Sequence, residues 1–191
     1  MLFTSLALQV LSQEKKLTYH IKKNGSVIGN MGLTETSVGD KIVLKLDSKV
    51  ETRYIFKVCA TSKEETVFEN GLITYSSIYR NLNGNEKENK KLTIGLDNYK
   101  IETENKTHIL NFYPIRYNML CLYFSEPVLV KKVYSDNHQQ FLDIRKLSAH
   151  FYQINFPDGN YSQYYYADGI CQKINVHNAM YNVEIELQQI L

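Results

Sequence analysis

Five Asn-Gly or Asp-Gly pairs punctuate this chain: Asn24-Gly25, Asn70-Gly71, Asn83-Gly84, Asp158-Gly159 and Asp168-Gly169. Each pair favours positive φ at consecutive positions, the backbone that a two-residue β-hairpin turn demands. Asp97-Asn98 and Asn105-Lys106 are weaker signals of the same kind. The intervals between them, about 7 to 12 residues each, have strand character, so the expected arrangement is a meandering antiparallel sheet. Fifteen Tyr and eight Phe with only three Pro and no Trp favour strands as well. At 191 residues the chain is long enough for one domain with a sizeable core and hardly for two. It shows no internal repeat, linker or low-complexity stretch.

Alternation supports the sheet. Tyr181, Val183, Ile185 and Leu187 alternate with Asn182, Glu184, Glu186 and Gln188, the period of a strand buried on one face. Ile42, Leu44 and Leu46, then Tyr54, Phe56 and Val58, then Tyr152, Ile154 and Phe156 form similar rows. A sheet with one apolar face must curl or be covered. Between Pro114 and Pro127 the pattern changes: Ile115, Met119, Leu122 and Tyr123 stand at helical spacing, with Pro114 suited to a first turn. One short helix over about 114–125, amid about ten strands, is therefore expected to cap or plug the concave side. Ser135 to Gln140 (SDNHQQ) reads as a polar loop.

Met1 to Ser12 is an apolar run too short to span a bilayer and long enough for a secretory signal. Val10 and Ser12 suit the −3 and −1 positions, placing cleavage before Gln13 and a single domain over 13–191. No Lys or Arg precedes Lys15, so the segment reads as a signal truncated at its start. The first Cys is Cys59, which excludes a lipoprotein attachment site after the apolar run. The compartment expected is the periplasm or the exterior.

Chemical motifs are sparse. Cys59, Cys121 and Cys171 have no CxxC spacing, and buried, inert thiols are expected; Cys121, between Leu120 and Leu122, should have its pKa raised by apolar company. His20, His108, His138, His150 and His177 are scattered, with neither HxH nor HExxH spacing, so no metal site is expected. Asp136-Asn137-His138 is the one compact acid-and-His cluster; a polar loop tip explains it more simply than a catalytic dyad. There is no GxSxG, GxGxxG or GxxxxGK[ST] motif, and Glu64 and Glu65, adjacent on a strand, face opposite sides. No catalytic residue and no cofactor is assigned. A formal net charge of +2 offers no case for a nucleic-acid partner, and the Lys87–Lys91 run is broken by Glu88. Asn24, Asn105 and Asn160 head glycosylation sequons.

The tyrosines carry more. Tyr161, Tyr164, Tyr165 and Tyr166 share a strand, so aromatics face both sides of the sheet there, and Tyr117 and Tyr123 belong to the helical segment. Such rings fill a core or line a pocket for a ligand with a polar end. Candidate lining residues are Tyr117, Met119, Tyr123, Tyr164 and Tyr166.

The stretches EETVFENGLITYSSIYR (64–80), YPIRYNMLCLYFSEP (113–127), VYSDNHQQF (133–141) and PDGNYSQYYYADGIC (157–171) resemble an uncharacterised family of small exported proteins of Gram-negative bacteria. That resemblance implies a fold similar to the periplasmic lipoprotein carriers: a curved antiparallel sheet, half-open or closed into a barrel, around helical elements. The chain departs from the carriers in having one helix where they have several. The function expected is non-catalytic binding of a lipid or other apolar or amphipathic molecule in the envelope. The alternatives are a packed interaction module that binds an envelope protein and, third, a hydrolase-like enzyme with an unrecognised site, which Asp136 and His138 buried together beside a cleft would support. A cavity of about 300 Å³ or more separates the first from the second.

Overall fold

A computed structural model describes residues 12–53, 57–111, 114–179 and 181–191. The signal segment expected over 1–12 lies, but for Ser12, outside the described residues, as do Tyr54 and Phe56 of one alternating row. The described residues form fourteen strands and one turn of helix. The strands are β1 (Gln13–Lys23), β2 (Ser26–Val38), β3 (Lys41–Arg53), β4 (Lys57–Glu69), β5 (Leu72–Leu82), β6 (Asn85–Ile94), β7 (Tyr99–Thr103) and β8 (Thr107–Leu110). After helix α1 (Cys121–Phe124) come β9 (Lys132–Ser135), β10 (Gln140–Ser148), β11 (Phe151–Asn155), β12 (Tyr161–Ala167), β13 (Ile170–His177) and β14 (Asn182–Ile190).

All strands belong to one antiparallel sheet in the order β8-β7-β6-β5-β4-β3-β2-β1-β14-β13-β12-β11-β10-β9. Two meanders, β1–β8 and β9–β14, are joined by the pairing of β1 with β14, where Ile21 meets Ile185. Four of the five Gly-containing pairs close tight hairpins with φ positive at both residues, such as Asn24 at 51° and Gly25 at 78°. Asp158-Gly159 differs: only Gly159 is positive, at 83°. Pro157 fixes a negative φ ahead of it, so the turn becomes a Pro-Asp-Gly loop closed by Phe156 N–H to Asn160 C=O at 2.8 Å.

The sheet curls into a half-open barrel whose ends, β8 and β9, do not pair with each other. Strand β10 turns the corner: Gln140–Asp143 pair with β9, and Ile144–Ser148 pair with β11. Side chains, not ladder bonds, hold the last edge against the first meander. Ser76 of β5 donates to Asp136 just after β9, and Lys90 of β6 donates to the Asn137 carbonyl at 2.8 Å. Inner-face rows such as Leu17, Tyr19 and Ile21, or Tyr164 and Tyr166, are buried. On β5 the row is kept in phase by a bulge opposite Val67/Phe68, which puts Ile73 and Ser76, three apart, on the same face.

The helix expected over 114–125 is corrected to four residues, Cys121–Phe124. Residues 115–118 run extended because their backbone is engaged by strands. The Ile115 carbonyl accepts from Ile73 N–H at 2.9 Å, the Tyr117 carbonyl from Tyr134 N–H at 2.9 Å, and Asn118 bridges Tyr134 in parallel. Backbone aligned to pair with a strand does not at the same time turn into a helix. The segment nevertheless plugs the curved sheet, with Ile115, Leu120, Leu122 and Phe124 all buried.

Candidate functional site

The plug is fastened to both meanders by buried polar groups. Ile115 N–H donates to the Tyr99 hydroxyl at 3.2 Å, and Asn118 Nδ2 donates to Thr66 Oγ1 at 2.8 Å and to Asp136 Oδ2 at 2.9 Å. From the other side Tyr166 donates to the Leu122 carbonyl at 2.8 Å, while Tyr19 donates to the Cys171 carbonyl at 2.8 Å and sets its ring edge-on to Tyr123. Tyr117 donates to the Ser125 carbonyl at 2.9 Å, closing the plug on itself.

These anchors fill one end of the barrel and leave the other open. A cavity of about 300 Å³ lies above the plug, inside the curve of the sheet. Its lining includes the buried apolar side chains of Leu46, Ile78, Tyr164 and Ile174, with Met119 and Tyr123, and the buried polar Ser135 and Ser162 beside the enclosed Asp136. The less buried residues of the lining, toward its mouth, include Glu64, Arg80, His138 and Asp158 together with the apolar Phe156 and Tyr181. Three of the five residues singled out in the sequence, Met119, Tyr123 and Tyr164, therefore share this cavity, whereas Tyr117 and Tyr166 hold the plug instead.

Charge is placed at the mouth by the strand period. Glu64, Thr66 and Phe68 share the inner face of β4, and Ser76, Ile78 and Arg80 that of β5. The guanidinium of Arg80 sits between Glu64 at 3.1 Å and Glu88 at 2.9 Å. Burial pulls its pKa down, but the two carboxylates outweigh that and hold it protonated. Asp136 accepts from Ser76 and Asn118 with its two oxygens, yet burial dominates and pushes its pKa up to about 6. Burial drives the hydroxyls of Tyr123 and Tyr164 well above their ordinary value, so both stay neutral. His138 stacks on Phe156, ring centroids 5.4 Å apart, and does not turn toward Asp136, whose oxygens are occupied.

The SDNHQQ segment, expected as a solvated loop tip, is a turn folded onto the cavity, with Ser135 buried. Glu64, Arg80 and Ser162 were not among the residues singled out; the available signal was that each shares parity with apolar inner residues on its strand. Tyr161 and Tyr165 point outward, stacked on His177 and Phe151 with centroids 4.3 Å apart in both pairs. The three cysteines are free; burial pushes the thiols of Cys121 and Cys171 up to about 12, and they are inert. No helix of the described residues is long and apolar enough to cross a membrane.

Comparison with known proteins agrees with this architecture. No curated protein matches the chain. Among solved structures, the crystal structure of a β-barrel-like protein of domain of unknown function DUF1849 from Brucella abortus is similar at a TM-score of 0.61. The likeness covers 97% of this chain and 99% of that one at 8% identity, and is one of fold alone. Residues 19–188 match the family described as "Domain of unknown function (DUF6134)". The chain thus belongs to the DUF6134 family, an uncharacterised family, and has a β-barrel-like fold.

Proposed function

We propose that this protein binds, without catalysis, a small amphipathic ligand whose apolar part enters the cavity above the plug. The observation that carries this reading is a cavity of about 300 Å³ whose lining combines buried apolar side chains with a few charged groups. Specific pockets combine largely apolar linings with a few placed polar groups. Arg80 is committed to Glu64 and Glu88, and the lining carries two further carboxylates, Asp136 and Asp158, against no further Lys or Arg. The polar end that fits is accordingly a cation or a hydrogen-bond donor rather than an anion. We place this activity in the cell envelope on the strength of the apolar run from Met1 to Ser12.

A dansyl-labelled alkylamine tests the reading. Its fluorescence should rise saturably with the wild-type protein, and more weakly for a carboxylate-headed probe of the same length. Met119→Trp, which adds bulk to the cavity wall, should lower the affinity at least about tenfold with the fold intact by circular dichroism. An affinity unchanged by Met119→Trp, or no saturable binding of either probe, would sink the proposal.

A further inference from the structure

We propose that the loop from Glu126 to Lys132 docks this protein on an anionic lipid bilayer. The loop presents two apolar side chains to water, Leu129 at 93% exposure and Val128 at 62%, and Leu147 on neighbouring β10 is 40% exposed. They are held there by a rigid frame. Glu126 N–H donates to the Gly169 carbonyl at 2.9 Å, and the Glu126 carboxylate accepts from Tyr152 at 2.6 Å and bonds His150 at 2.9 Å. At the far end Ile144 N–H donates to the Lys131 carbonyl at 2.8 Å. The tip is thus pinned at both ends, and its exposure is a property of the fold.

Around the tip stand Lys131, Lys132, Arg145 and Lys146, all exposed, with Asp143 as the carboxylate among them. Lys132 is paired with Asp143 at 3.6 Å. Among the described residues no carboxylate lies within ion-pair distance of Lys131 or Arg145. Lys146 points to the opposite face of β10 from Arg145, its ammonium 5.7 Å from the centroid of the Tyr152 ring and attracted by Glu126. An open groove of about 840 Å³ beside the loop has Leu142, Ile144 and Phe156 in its lining. An apolar tip flanked by the unpaired cations Lys131 and Arg145 matches a surface with anions at one depth and hydrocarbon just below it, which is the outer layer of an anionic bilayer. Leu96, 99% exposed on the β6–β7 turn, makes the contrast: Asp97 follows it, and it stands alone.

Cosedimentation with lipid vesicles tests the proposal. The wild-type protein should pellet with phosphatidylcholine vesicles containing about one-third phosphatidylglycerol, stay in solution with phosphatidylcholine alone, and release as salt is raised. Leu129→Asp should lower the bound fraction about tenfold, as should Lys131→Glu combined with Arg145→Glu, whereas Leu96→Asp should change nothing. All these side chains are exposed, so the variants fold, which circular dichroism verifies. Equal binding to neutral and anionic vesicles, binding to neither, or equal behaviour of Leu129→Asp and Leu96→Asp would overturn it. Met119→Trp should bind vesicles like the wild type, so this test fails or succeeds independently of the cavity.

Discussion

The two ends of the barrel are built from the same strands and differ in what each strand brings to its inner face. At the closed end β4 contributes Phe68, β5 Ile73, β12 Tyr166 and β13 Ile170, all buried, as is the plug's Ile115. Toward the open end the same rows run through Thr66 to Glu64, through Ser76 to Arg80, and through Tyr164 to Ser162. The lesson is that a cavity in a sheet of this kind needs no special element. It needs one or two polar residues in the inner phase, which cannot pack tightly against the opposite wall and hold it apart.

The largest expected effect comes from emptying the closed end. Ile115→Ala should cost about 2–5 kcal/mol in urea denaturation, because the residue is fully buried between β5 and the Tyr99 hydroxyl and its site cannot collapse. Ile78→Ala at the open end, against existing space, should cost clearly less; equal costs would erase the distinction between the ends.

Asp136 sharpens the comparison through pH. Its folded pKa, raised to about 6, exceeds the ordinary carboxyl value, so the folded state holds its proton more tightly than the unfolded chain does. Stability from this group is fully present below about pH 4 and is lost as the pH rises to about 6, a change of about 3 kcal/mol. In Asp136→Asn that slope should vanish from the difference in unfolding free energy between pH 4 and pH 7. A slope that persists would mean that Asp136 is not the group responsible.

Smaller effects test the sheet that carries both ends. A Cβ on Gly29 would lie 2.3 Å from the Lys49 carbonyl oxygen and 2.9 Å from Val50 Cα, so Gly29→Ala should cost about 1–3 kcal/mol by forcing β2 from β3. Gly32→Ala on the same strand, with nothing within 4 Å, should stay within about 0.5 kcal/mol. Least of all, Lys63→Ala, removing an exposed pair with Asp47 at 4.0 Å, should change thermal unfolding by less than about 0.5 kcal/mol.

How much of this was legible in the sequence depended on range. The turns at Asn24, Asn70, Asn83 and Asp168 were readable because their conformation is a property of two residues, and the turn at Asp158 was not because Pro157, with its fixed negative φ, takes the first corner of a longer turn. The stripe Ile115, Met119, Leu122 and Tyr123 located the plug but overstated its helix, since the bonds that straighten residues 115–118 come from Ile73 and Tyr134, remote in sequence. Met119, Tyr123 and Tyr164, offered as lining residues from their chemistry, do line the cavity. Asp136 was noticed in the sequence as part of an acid-and-His cluster, but its burial was not legible, because only the fold reveals that Ser76 and Asn118 draw it inward. Glu64 and Arg80 were hidden as well, since a charged residue on a strand is ordinarily the outward one.

The most direct test of the two-ended account is a methyl NMR titration with dodecylamine below its micelle concentration. Saturable shifts should appear at Met119, Ile78, Ile174 and Ile185, which line the open end, while Ile73, Ile115 and Ile170 at the closed end stay in place. Shifts spread evenly over both ends, or confined to Val128 and Leu129, would contradict a ligand cavity above the plug.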